Sequence, residues 1–408
     1  MKFLKVDTPE KAREKLLCYG GHLLQTEHVS LQDALFRTLA QDICAPCDVP
    51  DFRRSTVDGY ALGAKDTAAA GESIPAFLTR IGTVEMGTLV SDTLQSGTCM
   101  GVPTGGMVPK GADAVVMVEY TEPFGADGVA VYQSVAAGEN MVQVGDDIKS
   151  GETLLRRGRQ LTAGDIGALA ALGITQIPVY LPPKVSIFST GDELISPHEE
   201  IGGGKVRDIN TYALAAAAEK HDFAVIRKEV LIDDEALLKE KVRQAMQDSD
   251  IVFISGGSSQ GEKDKTFEVI DTAATPGAFT HGLAVKPGKP TILGYDASTQ
   301  TLLAGLPGHP AAAVLIFELL FAWLQKRLRG TAERLPILGT LTCNVSGGQG
   351  KLICQLCKLK QTETGYEAEP IFSKSGLITS LVSADGYFLI DRDTEGMEQG
   401  RNVWVHLF

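Results

Sequence analysis

Residues 255–264 (SGGSSQGEKD) carry the side chains of this chain that are best suited to chemistry. Their three glycines let the backbone turn tightly and bring several N–H groups close to a bound anion. Serine hydroxyls add donors, and Glu262, Lys263 and Asp264 place a cation beside two carboxylates. A phosphate-type anion with a divalent metal would use all of these groups together. Alone, such a loop is equally typical of a strand-to-helix turn with solvated charges.

The elements that must position this loop are short buried strands. Residues 251–254 (IVFI) form an apolar run without alternation, which is typical of a strand buried on both faces. Two similar strands, residues 184–188 and 301–306, lead into residues 189–194 (STGDEL) and 307–310 (PGHP). Open α/β sheets bind ligands at the carboxyl ends of their parallel strands. We therefore expect the three loops to converge on one site.

Other segments add charged or hydroxyl groups. Residues 285–290 (VKPGKP) hold two lysines in a rigid proline-glycine loop, which suits either an anion clamp or a charged surface turn. Residues 55–61 (STVDGYA) place Asp58 before a glycine, where it could be only a turn aspartate. A loop of hydroxyl, glycine and lysine follows at residues 101–113.

Composition limits the function classes. The 408 residues suffice for two to four domains, and 44% hydrophobic residues indicate a globular chain. A net charge of −13, with no basic patch that mixes with aromatics, excludes a nucleic-acid-binding surface. No apolar run approaches membrane-spanning length, and the polar first residues do not resemble a signal peptide. We expect a cytoplasmic protein that binds no membrane.

The seven cysteines do not indicate a disulfide framework. Two CxxC spacings, residues 44–47 and 354–357, lie about 300 residues apart. The second pair falls in an alternating strand pattern, in which positions three apart face opposite sides and cannot chelate one zinc ion. We expect free thiols.

Hydrophobic periodicity and capping residues predict helices between strand-like stretches. Thr8 is a plausible N-cap with Pro9 at the first helical position, and a capping-box pattern begins at Ser30. The predicted helices span residues 9–18, 30–39, 162–172, 210–221, 234–247, 266–273 and 311–329. Residues 64–146 show short strands and glycine turns, and strand patterning returns after residue 335.

These motifs together resemble the molybdopterin molybdenumtransferase family, which includes bacterial MoeA and the E domains of gephyrin and of its plant counterpart. Seven segments match in the family's order and extend over nearly the whole chain. They are STVDGYA (55–61), PTGGMVPKGADAVV (103–116), GDDI (145–148), STGDEL (189–194), SGGSSQGEKD (255–264), VKPGKP (285–290) and GLPGHP (305–310).

The resemblance implies an α/β multidomain fold of four domains. We place a helical and extended linker domain at residues 1–45 and 148–180, and an inserted β-rich domain at 46–147. A three-layer α/β molybdopterin-binding domain follows at 181–330, and a small β-barrel-like domain at 331–408. The resemblance also implies a homodimer whose active site lies between the α/β domain of one subunit and the inserted domain of the other.

The resemblance further implies that molybdate and adenylylated molybdopterin react, with Mg²⁺, to give molybdenum cofactor and AMP. Asp264 and Glu193 would hold the metal and act on the anhydride. The residues assigned to catalysis are Asp58, Thr104, Asp147, Glu193, Asp233 or Asp234, Asp264, Pro307 and Pro310. Those assigned to binding are Thr190, Gly191, Ser255, Gly256, Gly257, Ser258, Lys286, Lys289, Gly308 and His309. Asp58 and Thr104 would come from the second subunit.

Three positions depart from the family pattern: His309 stands where Asn is usual, Gly106 where Ala is common, and Thr56-Val57 replaces Ala-Met. Molybdate and tungstate, which are nearly equal in size and charge, both suit these residues. Two alternative functions remain: a molybdopterin adenylyltransferase, which needs only the α/β domain, and a non-catalytic scaffold like gephyrin. Candidate partners are the adenylyltransferase and molybdoenzymes that accept the cofactor.

Overall fold

The computed structural model describes residues 6–256, 265–332, 334–372 and 376–408. Predicted helices are confirmed to within about two residues, apart from the one at residues 30–39. Thr8 caps the first helix by accepting a hydrogen bond from Lys11 N at 3.3 Å, and Pro9 is its first residue. The helices are α1 Pro9–Tyr19, α2 Ala163–Ala171, α3 Asn210–Lys220, α4 Glu235–Ala245, α5 Lys265–Ala273, α6 Pro310–Ile316, α7 Trp323–Arg329 and α8 Ile378–Val382. A π-helical stretch, Phe317–Ala322, joins α6 to α7.

The helix predicted at residues 30–39 is wrong. Only a 3-10 turn forms, Leu31–Asp33, and the Ser30 hydroxyl donates to the Asp33 carboxylate at 2.6 Å instead of capping a helix. Phe36 adopts a φ of 64°, which an α-helix does not allow. The backbone N–H groups of Phe36 and Leu39 instead donate to carbonyls of residues 161 and 159. Long-range pairing therefore overrides the local capping signal.

Strands are numbered along the chain through two six-stranded sheets and a five-stranded barrel, and the two-residue strand Val285–Lys286, which pairs with the barrel, is left unnumbered. They are β1 Gly59–Leu62, β2 Ala76–Thr83, β3 Thr98–Val102, β4 Ala114–Met117, β5 Thr121–Phe124, β6 Gly128–Val131, β7 Lys184–Thr190, β8 Ala224–Leu231, β9 Ile251–Gly256, β10 Pro276–His281, β11 Ile292–Asp296, β12 Thr301–Leu306, β13 Ile337–Leu341, β14 Leu352–Thr362, β15 Gly365–Pro370, β16 Gly386–Ile390 and β17 Asn402–Leu407.

The central sheet has the order β8-β7-β9-β12-β11-β10. Its first four strands are parallel, β11 runs antiparallel to them, and β10 pairs antiparallel with β11 at the edge. One face packs against α1, α3, α6 and α7, and the other packs against α4 and α5. The three-layer α/β prediction is therefore confirmed. Phe253, with no exposed surface, packs edge-to-face against Phe317 and Phe321 at the centre of the first face.

The inserted β-rich segment has its own sheet, ordered β4-β1-β3-β2-β6-β5. The chain segments that flank it lie together. Thr26–Ser30 pairs antiparallel with Gln176–Tyr180, and Ile43–Cys44 pairs with Thr153–Leu155. Leu39 and Leu169 are fully buried in the small core that these segments share. The domain boundaries themselves stay a prediction.

The last sheet closes into a five-stranded barrel, in the order β14-β15-β13-β17-β16 and back to β14. Cys354 and Cys357, both on β14, face opposite sides as predicted. Cys354 lies in the core of the α/β layer, and Cys357 lies inside the barrel. Burial raises the pKa of each thiol to about 12. The outer face of β14 is therefore buried in the core of the α/β layer, while the barrel has a separate core of its own.

The turn that joins β11 to β12 is organised by Asp296. Burial raises the pKa of this carboxyl, but hydrogen bonds from Ser298, Thr275 and Thr299 outweigh that effect and hold the pKa at about 2. Because the ordinary value is 3.8, ionised Asp296 stabilises the fold above about pH 4. That stabilisation is lost as the pH falls toward 2.

We expect Asp296→Asn to cost about 2 kcal/mol near neutral pH, the free energy that corresponds to this pKa shift. Urea unfolding between pH 7 and pH 2.5 should show the difference from wild type shrinking below pH 4. The control is Asp92→Asn, since Asp92 is exposed and its carboxylate makes no hydrogen bond within the described ranges. A difference for Asp296→Asn that stays constant with pH would contradict this role.

Candidate functional site

The three parallel strands β7, β9 and β12 end at one level. Thr190 lies opposite Gly256 in the register of β7 with β9, and Ser255 lies opposite Leu306 in that of β9 with β12. The segments that follow each strand therefore begin side by side at the carboxyl edge of the sheet. This is the arrangement that the sequence predicted. The predicted residues Gly257, Ser258 and Asp264 lie outside the described residues.

Gly256 is the point of closest approach between two of these strands. Its φ is 119°, and a Cβ atom built on it would lie 2.2 Å from the carbonyl oxygen of Thr190. Only glycine fits a position that combines this backbone conformation with this contact. The glycine is therefore required by the strand packing, whether or not it also contacts a ligand.

A buried amide joins the ends of β9 and β12. Asn210, the first residue of α3, donates from Nδ2 to Ser255 Oγ at 2.7 Å and to the carbonyl oxygen of Gly308 at 2.8 Å. Ser255 Oγ in turn donates to the carbonyl oxygen of Pro307 at 3.3 Å. The sequence assigned Asn210 no role, because its partners lie 45 and 98 residues away.

Acidic groups gather after β7 and β8. Asp192 Oδ1 accepts a hydrogen bond from the backbone N–H of Asp233 at 3.0 Å. Burial raises the pKa of the Asp233 carboxyl, Asp192 and Glu193 raise it further, and Lys265 opposes them. Asp234 has a different task, since its Oδ1 accepts from Leu237 N at 2.9 Å and caps α4. Of the two neighbouring aspartates, Asp233 is the one beside Glu193.

Asp208, unlike the exposed acids after β7 and β8, is buried, and it received no role from the sequence. It is 4% exposed, and its Oδ1 accepts a long hydrogen bond from Thr211 N at 3.3 Å. Burial raises the pKa of this carboxyl above its ordinary value. The backbone N–H groups of Thr211 and Asn210 and the Ser189 hydroxyl oppose that rise, so this carboxyl serves to hold the start of α3 beside β7.

The lysine loop lies between the α/β layer and the barrel. Val285–Lys286 pairs in parallel with the start of β14, and the side chains of Lys286 and Lys289 are exposed. Gly288 has a φ of 118°, and a Cβ atom there would lie 2.4 Å from Ile316 Cδ1 on α6. Thr291 Oγ1 donates to the carbonyl oxygen of Gly288 at 2.7 Å. The fold therefore holds both lysines on a fixed turn.

The loop at residues 307–310 also meets the last part of the chain. A Cβ atom on Gly376 would lie 3.6 Å from the imidazole Cδ2 of His309. Helix α8 packs against α6, which begins at Pro310. Pro307 and Pro310 are buried, whereas Gly308 and His309 are exposed at the edge. Residues after the barrel strand β15 therefore border this loop.

Asp58 and Thr104 lie together in the inserted segment. Asp58 Oδ1 accepts from the backbone N–H of Thr104 at 2.8 Å, and both side chains are exposed. Asp147 is also exposed, and its N–H donates to the carbonyl oxygen of Val49 at 3.0 Å. Within the part of the chain that the structure describes, no hydrogen bond or ion pair links these three residues to the carboxyl edge of the sheet.

Comparison with known proteins agrees with this layout. The family models "MoeA N-terminal region (domain I and II)", "Probable molybdopterin binding domain" and "MoeA C-terminal region (domain IV)" match residues 8–173, 186–327 and 339–408. A Haemophilus influenzae protein named molybdopterin molybdenumtransferase is 30% identical over 407 residues, which cover 98% of each chain. This chain belongs to the MoeA family.

Solved structures of the family extend the agreement to the fold. Two crystal structures of the molybdopterin biosynthesis MoeA protein from Pyrococcus horikoshii superpose with TM-scores of 0.87 and 0.83. They are 33% and 32% identical in sequence, and each covers 99% of this chain. The multidomain fold class that the sequence predicted is therefore confirmed for this MoeA chain.

The acids at the carboxyl edge suit a divalent cation. Asp192 and Glu193 both raise the pKa of Asp233, so the three carboxylates repel one another. Magnesium prefers carboxylate oxygens and would relieve that repulsion. Among the described residues, however, no group of three or more His, Cys, Asp or Glu side chains is already close enough to hold a metal ion. The carboxylates alone form an incomplete site, to which phosphate and water oxygens would have to be added.

We expect Gly256→Ala to destabilise this MoeA protein by at least about 2 kcal/mol, because the added methyl meets both strain and the Thr190 carbonyl. The matched control is Gly308→Ala, whose added methyl would have its nearest neighbour at 3.7 Å. Denaturant unfolding should show Gly308→Ala within about 0.5 kcal/mol of wild type. Equal stabilities of the two variants would contradict the close approach at Gly256.

Proposed function

We propose that this protein is a molybdopterin molybdenumtransferase, which inserts molybdate into adenylylated molybdopterin and releases AMP. The observation that carries the proposal is the convergence of β7, β9 and β12 on one edge, in a chain that matches such an enzyme over nearly its full length. The product is the molybdenum cofactor.

The chemistry of the residues supports this reaction. Molybdate is a tetrahedral dianion, and the exposed Lys286 and Lys289 present positive charge on a turn that is fixed by Gly288. A preorganised turn loses little entropy when it binds an anion, so the lysines can hold molybdate beside the pterin. His309 and Gly308, exposed at the same edge, are available to the pterin or its phosphates.

Glu193 and Asp233, with Asp192 beside them, would hold Mg²⁺. When bound, the ion neutralises charge on the phosphoanhydride and orients the oxygens that take part in its cleavage. Before that, the raised pKa of Asp233 favours its protonated form over an ordinary aspartate at the same pH. Protonation of this acid competes with metal binding, so the affinity for Mg²⁺ should fall as the pH is lowered through the pKa of Asp233.

We further infer that the enzyme is a homodimer in which Asp58, Thr104 and Asp147 reach the site of the other subunit. The support is that Asp58 and Thr104 form an exposed pair with no bond to the carboxyl edge of their own chain among the described residues. No helix within those residues has the length and hydrophobicity needed to cross a bilayer. We propose a cytoplasmic enzyme that exchanges intermediates with an adenylyltransferase and with molybdoenzymes.

An adenylyltransferase function is less well supported. That reaction needs only the α/β domain, whereas the family matches extend over the N-terminal and C-terminal regions as well. A scaffold function would not require Asp58, Glu193 and Asp233, all of which this chain retains.

The proposal is tested by supplying purified protein with adenylylated molybdopterin, Mg²⁺ and either molybdate or tungstate. We expect AMP release that depends on the oxyanion, and the faster oxyanion identifies the metal that the enzyme prefers. In a parallel reaction, ATP and unmodified molybdopterin should yield no pyrophosphate. Pyrophosphate formation without oxyanion-dependent AMP release would instead establish an adenylyltransferase.

The shared site is tested with two inactivating variants, Asp58→Ala and Glu193→Ala. Each homodimer alone should lose most activity, on the order of a hundredfold for one preorganised group. The two chains, carrying different affinity tags, are coexpressed and purified through both tags to give heterodimers only. One of the two sites is then intact, so we expect about half of wild-type activity. Heterodimers as inactive as the parent homodimers would mean that each site is built within one chain.

A further inference from the structure

We propose that Asn210 is a positioning residue for the adenylylated pterin and that Ser255, its partner, does not contact the anion. The inference rests on the proposed function. Asn210 and Ser255 would fix the distance between the end of β9 and the loop at residues 307–310. Gly256 on the first and Gly308 and His309 on the second are assigned to binding, so this distance would set the affinity for a ligand that spans them.

The hydrogen bonds of Asn210 have only one arrangement. The Gly308 carbonyl oxygen can only accept, so the Asn210 atom that faces it at 2.8 Å must be the amide nitrogen. The second amide hydrogen is directed to Ser255 Oγ at 2.7 Å. Both hydrogens of the amide group are therefore used, one on the end of β9 and the other on the loop at residues 307–310.

Ser255 continues the same chain of hydrogen bonds. Its hydroxyl accepts from Asn210 and donates its single hydrogen to the Pro307 carbonyl oxygen at 3.3 Å. The side chain is 1% exposed. With its hydrogen committed and its surface buried, the hydroxyl has no donor left for molybdate. The sequence predicted that Ser255 contacts the anion. In the structure it instead supports the loop at residues 307–310.

The support behind Asn210 is rigid. It is the first residue of α3 and is 9% exposed. Leu214 and Ala218, one and two turns further along α3, are completely buried in the core beneath β7 and β9. The amide is therefore anchored to the sheet core, and a shift of the 307–310 loop would have to break one of its bonds.

The lysine loop does not depend on this amide. Lys286 and Lys289 are held by the Thr291 bond to Gly288 and by the contact of Gly288 with Ile316. Removing the Asn210 side chain should therefore affect binding of the pterin and leave binding of molybdate nearly unchanged. A general loss of structure would instead weaken the binding of the pterin and the binding of molybdate together.

The test compares Asn210→Ala and the nearly isosteric Asn210→Asp with wild type. Half-saturating concentrations are measured separately for adenylylated molybdopterin and for molybdate in the AMP-release assay, with equilibrium binding of the adenylylated pterin in parallel. We expect both variants to need about tenfold more pterin, the scale of losing buried hydrogen bonds, and to keep the molybdate value within about twofold. Lys286→Ala should give the reverse pattern.

Two further variants make the test specific. Ser255→Ala should raise the half-saturating concentration of the adenylylated pterin, as Asn210→Ala does. If it changed only the half-saturating concentration of molybdate, Ser255 would be an anion contact after all. Thr211→Val is the control, since this neighbouring hydroxyl is buried and has no hydrogen-bond partner among the described residues. We expect wild-type values for it.

The outcomes separate the two proposals. If wild type releases no AMP and does not bind the adenylylated pterin, the proposed function fails and the positioning role fails with it. If wild type is active but the Asn210 variants have the same half-saturating concentration of adenylylated molybdopterin as wild type, the positioning role alone is overturned. Equal increases in the half-saturating concentrations of the pterin and of molybdate, together with a lower unfolding temperature, would show that Asn210 has only a structural role.

Discussion

The site depends on one constraint, the common level at which three neighbouring parallel strands end. Gly256 makes this possible, because any side chain there would overlap the carbonyl group of Thr190, 2.2 Å from an added Cβ. Once the strands end together, their backbone directions send the following loops toward the same volume. The acids after β7 and β8, Gly256 at the end of β9 and the prolines after β12 therefore gather at one edge, although the sequence separates them by tens of residues.

A second feature of the fold is the junction of the α/β layer with the barrel. Leu352 and Cys354 on β14 pack in the same core as Val285 and Ile316. The lysine turn is thus held from both sides, by pairing of Val285–Lys286 with the barrel and by the α6 contact at Gly288. Charged side chains on a turn ordered in this way act as a fixed electrostatic environment, which is more effective than mobile lysines of equal charge.

The sequence predicted the elements whose signals are local. Buried strands show as apolar runs, α1 shows its Thr8 cap, and the alternation of β14 correctly placed Cys354 and Cys357 on opposite faces. It failed at residues 30–39, where a capping pattern was overridden by pairing with residues 159–161. Capping free energies of about 1 kcal/mol are too small to oppose such long-range burial.

Site residues divide in the same way. Lys286 is predicted from the type of side chain that anion chemistry needs, and Glu193 is predicted from the family resemblance. Asn210 and Asp208 are not, because their importance comes from partners and burial that only the folded chain creates. The pair Asp233 and Asp234 could not be separated by sequence either, since the distinction lies in one helix cap and one carboxylate neighbour.

The central claim is that the substrate binds at the carboxyl edge of β7, β9 and β12, and the most direct test is a crystal structure of the protein with adenylylated molybdopterin. We expect the ligand beside Gly256 and Gly308, with its phosphates toward Glu193 and Asp233 and with Lys286 facing the open side of the pterin dithiolene. Ligand density at another surface, such as the groove along α4 or the cleft between α1 and the barrel, with the strand ends empty, would contradict the claim.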